Sequence, residues 1–83
     1  MIHLRFFASF REIIKTDEEY YPFEGFSTVG DLKKLLSHRG TEWKAVFQGE
    51  TVVKAAVNKE IVSDDFLLHD KDEVAFFPPM TGG

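Results

Sequence analysis

The sequence predicts a single α+β domain over residues 1–83, a mixed sheet crossed by one main helix and ending in a flexible tail over 78–83. Three observations predict it. The two ends of the chain carry alternating apolar runs, Ile2-Leu4-Phe6 and Val74-Phe76, with the strongest strand character in the sequence. A well-signalled helix opens at Thr28 between them. With 83 residues, 43% of them hydrophobic, the chain can fill one core and not two.

Ile2 to Phe7 opens as a strand, with Ile2, Leu4 and Phe6 on one face and His3, Arg5 and Phe7 on the other. From Ala8 to Lys15, Phe10, Ile13 and Ile14 fall at helical spacing and predict a short helix or turn. Thr16-Asp17-Glu18 is polar and turn-like. Glu19 to Phe23 reads as a second strand, which Pro22 confines to an edge or a bulge. Thr28 is a good N-cap, and Asp31 three residues on makes an acidic capping box. Leu32, Leu35 and Leu36 mark the buried face, and Gly40 stands where a helix stop belongs. Trp43, Val46 and Phe47 then suggest a second short helix over 42–47.

Val52 to Val57 reads as a strand, with Ala55-Ala56 suited to a crowded central position. Asn58-Lys59-Glu60 is a tight turn into Ile61-Val62. Residues 64–72 are an acidic loop anchored by Phe66 and Leu68. Glu73 to Phe77 is the last strand, and Pro78-Pro79 ends it because proline donates no ladder hydrogen bond. The two strongest strands belong side by side at the sheet centre. No hairpin can join the chain's two ends, so a parallel pairing bridged by everything between is expected. That is the β-grasp plan, the plan of ubiquitin.

Composition excludes several functions. A net charge of -4 argues against a nucleic-acid binder, which needs a basic face. No apolar run approaches the roughly 20 residues of a membrane span, and the start lacks a signal peptide's apolar block. The expected compartment is therefore the cytosol. With no cysteine, the chain offers neither a thiolate nucleophile nor a soft metal ligand. His3, His38 and His69 share no ligand spacing, so no metal is expected. The acids of 64–73 lack the oxygen spacing and glycine turn of a calcium loop. Phosphate-binding glycine loops and nucleophile elbows are also missing.

The C-terminus is different. An apolar strand, the diproline Pro78-Pro79 and then Thr81-Gly82-Gly83 follow one another. Diproline stiffens the stem into an extended path, and two glycines give a tip without side chains that can enter a narrow channel. A free carboxylate is a poor acyl donor. Adenylation by ATP would turn it into a good one, and a sulfur nucleophile attacking that adenylate would leave a thiocarboxylate on Gly83.

The residues Asp72-Glu73-Val74-Ala75-Phe76-Phe77-Pro78-Pro79-Met80-Thr81-Gly82-Gly83 closely resemble the end of the small subunits of molybdopterin synthase. Phe6-Phe7-Ala8 with Arg11-Glu12, and Ala55-Ala56-Val57-Asn58, are also similar to that family. The stretch from Ser37 to Thr51 matches only loosely and carries no function over. The resemblance implies a β-grasp sulfur carrier with no bound cofactor. Its Gly83 would be adenylated by an E1-like adenylyltransferase that consumes ATP, loaded by a sulfur donor protein, and inserted into the large synthase subunit. Sulfur would pass there to cyclic pyranopterin monophosphate to build the molybdopterin dithiolene, within a heterotetramer whose pterin site lies mainly on the large subunit.

The strand phase adds a docking face. If Ile2, Leu4 and Phe6 face the core, Phe7 faces out, and the same holds for Phe77 beside Val74 and Phe76. Ile61 matches an apolar position of the family and is a third candidate, and Arg11 is a candidate partner for an acid on another chain. Three other readings stand beside this one: a β-grasp carrier for thiamine or transfer-RNA thiolation, a ubiquitin-like protein modifier, and an interaction module with a passive tail.

Overall fold

A computed structural model describes residues 1–79. The elements run β1 (Ile2–Phe6), α1 (Ala8–Ile14), β2 (Glu18–Tyr21), α2 (Val29–Ser37), α3 (Thr41–Phe47), β3 (Lys54–Val57), β4 (Glu60–Val62) and β5 (Glu73–Phe77). The sheet order is β2-β1-β5-β3-β4. The two strongest strands are neighbours and parallel, as expected, with Leu4 beside Val74 and Phe6 beside Phe76. β5 takes the centre and pairs antiparallel with β3 on its other side.

One sheet face and the helices enclose the core. Ile2, Leu4, Phe6, Val74, Phe76, Ala55 and Val57 point into it and meet Val29, Leu32 and Leu36 of α2 and Val46 of α3. The Trp43 ring meets the Phe6 ring edge-on at 5.4 Å, and Phe47 meets Phe76 the same way at 5.1 Å. Such pairs add about 0.5–1.5 kcal/mol beyond the area they bury. α3 thereby seals the end of the core from which β5 exits.

The capping box at α2 is complete. Thr28 accepts from the Asp31 N–H at 3.1 Å, and the Asp31 carboxylate accepts from the N–H groups of Thr28 and Ser27 at 3.2 Å. These backbone donors hold the Asp31 carboxyl below its ordinary value of 3.8.

Several expectations are corrected. α2 does not run to Gly40; its C-cap is His38, whose N–H donates to the Leu35 carbonyl while the Arg39 N–H donates to that of Leu36. Gly40 is the N-cap of α3, at φ +152°. That backbone region is essentially reserved for glycine. Helix α1 buries Phe10 and Ile14 but leaves Ile13 exposed. β3 begins at Lys54 rather than Val52, which is exposed. In the acidic loop Leu68 is the anchor and Phe66 is not; the Phe66 carbonyl instead accepts from the Val29 N–H at 3.1 Å. Two other expectations hold: β2 is an edge strand, as Pro22 requires, although it spans Glu18–Tyr21 and ends before the proline, and Asn58 and Lys59 make the tight turn between β3 and β4, both with positive φ.

Candidate functional site

The sequence singles out the chain's exit, and the topology puts that exit at the sheet centre. β5 ends at Phe77, and Pro78-Pro79 leave it half-buried. Thr81, Gly82 and Gly83 lie outside the described residues. The root of the tail and the sheet face around it form the candidate site.

Phe7 continues the line of β1 for one residue. Its backbone is extended, at φ -127° and ψ 157°, and its N–H donates to the Phe76 carbonyl at 3.2 Å. The chain then turns sharply. Ala8 sits at φ +54°, and the Phe7 carbonyl accepts from the Phe10 and Arg11 N–H groups at 3.2 and 3.4 Å. Helix α1 thus starts on Phe7 without any side-chain cap, and this turn holds the Phe7 ring beside the tail root at 36% exposure. The Arg5 guanidinium lies 5.1 Å from the ring centroid, within cation–π range.

The remaining placements follow from register. Phe77 pairs with Lys54 of β3 and is half-buried, on the face opposite Val74 and Phe76. Two residues earlier along β5, a row crosses the sheet: Ile61 opposite Ala56, Ala56 opposite Ala75, Ala75 beside Arg5, and Arg5 opposite Glu18. The two alanines make a low floor. Ile61 rises at one side of it with 74% exposure, while Phe7 and Phe77 stand at the tail end. The structure therefore gathers Phe7, Phe77 and Ile61 on one sheet face. Such an apolar patch beside an exit point has the makeup of an interface centre.

Arg11 stands apart from this group. It lies on α1, and its Nε is 3.5 Å from Asp17 Oδ1 in an exposed pair. Such pairs contribute little to stability and exchange partners at small cost.

The far end of the same face is polar and internally paired. His3 Nε2 is 2.7 Å from Glu18 Oε1, and its ring stacks on Tyr20 at 4.7 Å. Arg5 lies 3.8 Å from Glu73. Lys54 differs from these basic side chains: among the described residues it has no acid within ion-pair distance, and it is exposed. The sequence reading missed Lys54, which looks like an ordinary surface lysine until the register places it against Phe77.

Among the described residues, no group of His, Asp and Glu could hold a metal ion. No helix of the described chain is long and apolar enough to cross a membrane. Among the described residues, no nucleophile, base and orienting acid converge at the tail root. What the arrangement offers is a surface on which another protein can seat itself while taking the tail.

A profile of the ThiS family matches residues 4–83. The chain is 41% identical to the molybdopterin synthase sulfur carrier subunit of Escherichia coli strain K12, over the whole length of both. It is 36% identical to small archaeal modifier protein 3 of Haloferax volcanii, covering 99% of this chain and 98% of that one. Among solved structures it is similar to a putative molybdopterin converting factor, subunit 1, from Pyrococcus furiosus. The TM-score there is 0.76 and the identity 31%, with 95% of this chain and 97% of the other covered.

Proposed function

The chain belongs to the ThiS family, and from that premise we propose that it is the sulfur carrier subunit of a molybdopterin synthase. The observation that carries this is end-to-end identity of 41% with a protein of that name, with neither chain overhanging the other. The poverty of catalytic groups supports it too, because a carrier needs a reactive end and a docking face, with the chemistry supplied by partners.

In this reading ATP and an E1-like adenylyltransferase act first. The Gly83 carboxylate attacks the α-phosphate, pyrophosphate leaves, and the carboxyl carbon gains AMP as a leaving group. A sulfur nucleophile then displaces AMP and forms a carbon–sulfur bond: sulfide gives the thiocarboxylate directly, whereas the persulfide of a donor protein gives an acyl disulfide whose S–S bond a thiol reductant cleaves to leave the thiocarboxylate and the donor's thiol. Both partners and the large synthase subunit read the Phe7–Phe77–Ile61 face while the tail enters their active sites. The large subunit supplies the pterin site. Each carrier holds one sulfur, so the two sulfurs of a dithiolene consume two loaded carriers.

Reconstitution tests this. Thiocarboxylated chain, the large synthase subunit of the same genome and cyclic pyranopterin monophosphate are mixed, and molybdopterin is measured. Product at a ratio approaching two carriers per dithiolene is expected. Absence of product with a large subunit active toward another carrier overturns the reading.

A second reading has its own support in the 36% identity to a small archaeal modifier protein. A modifier shares the activation step but ends in an isopeptide bond to lysine. Mass spectrometry of cell protein for a Gly-Gly remnant from this chain on lysine separates the two.

A further inference from the structure

We propose that Lys54 is a partner-selecting residue, the cation that pairs with a carboxylate at the rim of the large synthase subunit's docking surface. The inference rests on the carrier reading and adds to it the charge that the partner must present.

Four observations support it. Lys54 is the ladder partner of Phe77, so the two residues share the outer face next to the tail root. It is exposed and has no acid within ion-pair distance among the described residues. The other basic side chains of that face are already engaged, His3 with Glu18 and Arg5 with Glu73 and the Phe7 ring. The chain carries a net charge of -4, so an uncompensated cation beside its main apolar patch is a local reversal of sign.

The backbone under Lys54 is also held. The Lys33 ammonium donates to the Val53 carbonyl at 2.6 Å and to Asp64 Oδ1 at 2.6 Å. β3 therefore starts from a fixed point, and Lys54 projects from a strand end pinned by α2. Arg5, on the far side of the aromatic pair, is already balanced by Glu73, so the unpaired positive charge at the patch sits on the Lys54 side. The fitting partner is an apolar hollow with a carboxylate at that rim. A rim cation changes encounter rate, salt dependence and partner choice more than it changes apolar burial. It also disfavours partners that carry their own lysines there.

Binding of the full chain to the large subunit of the same genome, titrated at low and high salt, tests this. Wild type is expected to lose affinity as salt rises. Lys54→Glu is expected to bind about tenfold or more weakly at low salt with a flattened salt dependence. Lys54→Arg keeps the charge and is expected to bind as wild type. Unfolding midpoints confirm that each variant folds, and Lys54→Gln replaces Lys54→Glu if the latter does not. Charge loss at Lys54 with unchanged affinity and salt slope overturns the proposal. Phe77→Ala, run in parallel, separates the two levels. Weakened binding there, with Lys54→Glu unaffected, removes the role of Lys54 and keeps the docking face. A wild-type chain that does not bind overturns both.

Discussion

Phe6 and Phe76 lie ring against ring at 6.1 Å, neighbours in the parallel ladder between the first and last strands. Neither is exposed to any useful degree, and each is flanked by a residue on the opposite phase, Phe7 and Phe77. Each end of the chain thus contributes one aromatic to the core and one to the outer face. Stability and recognition are assigned to adjacent positions.

This separation can be measured. Phe76→Ala is expected to cost about 3–5 kcal/mol, the usual loss for a buried phenylalanine. Phe7→Ala and Phe77→Ala are expected to cost clearly less and to weaken binding to the large subunit instead. Denaturant unfolding of the three variants beside binding titrations checks this. A stability loss for Phe77→Ala equal to that of Phe76→Ala would put the ring in the core.

The tail predicts a different pattern. Deleting Gly83 is expected to abolish thiocarboxylate formation by the activating enzyme and to leave the unfolding midpoint unchanged, since the described core ends at Phe76. Gly82→Leu is expected to slow loading and delivery, because a side chain there meets the walls of a channel shaped for backbone. Mass spectrometry of the loaded chain and single-turnover sulfur transfer read the two steps separately. Wild-type rates in both for Gly82→Leu would refute threading.

Asp31 links stability to pH. Its carboxyl is held down by the backbone N–H groups of Ser27 and Thr28, the largest influences on it. A carboxyl depressed in the folded state contributes stability that is fully present above its unfolded value and is lost as pH falls through the lower folded value. The capping contribution should therefore persist at neutral pH and fade only below about pH 4. Unfolding midpoints measured across that range for wild type and Asp31→Asn are expected to differ at pH 7 and converge in acid. Thr28→Ala, which removes the reciprocal bond, is expected to cost about 1 kcal/mol.

Gly49 tests packing behind α3. A Cβ there would stand 2.2 Å from the Ala45 carbonyl oxygen, a backbone atom that cannot swing aside. Gly49→Ala is expected to destabilise by about 1–3 kcal/mol through a forced shift at the end of α3. Thermal unfolding checks this. An unchanged midpoint would mean that the segment after α3 relocates freely.

What the sequence disclosed depended on how locally each feature is encoded. Strand phase at Ile2-Leu4-Phe6 and at Val74-Phe76, and the Thr28–Asp31 cap, are local, and all three hold in the structure. Gly40 was ambiguous for a physical reason. Glycine is favoured both after one helix and before the next, and only the His38 cap shows that α2 has already ended. The bracing role of Arg39 was not legible. It pairs with Glu19 at 2.9 Å and lies over the rings of Trp43 and Tyr21, at 4.2 and 5.6 Å. Trp43 is four residues away, but Glu19 and Tyr21 are remote in sequence, and only the packed fold brings them to Arg39. Lys54 escaped for the same reason, since its meaning comes from the strand opposite.

The central place of β5 has a mechanical consequence. A partner that grips the tail and draws it into a channel pulls along the axis of this strand. The strand is bonded on one flank to β1 and on the other to β3. The load is then shared by both ladders at once, in shear, and a strand cannot peel away one bond at a time as it could from an edge. The carrier can be tugged, used and released repeatedly while its fold stays closed.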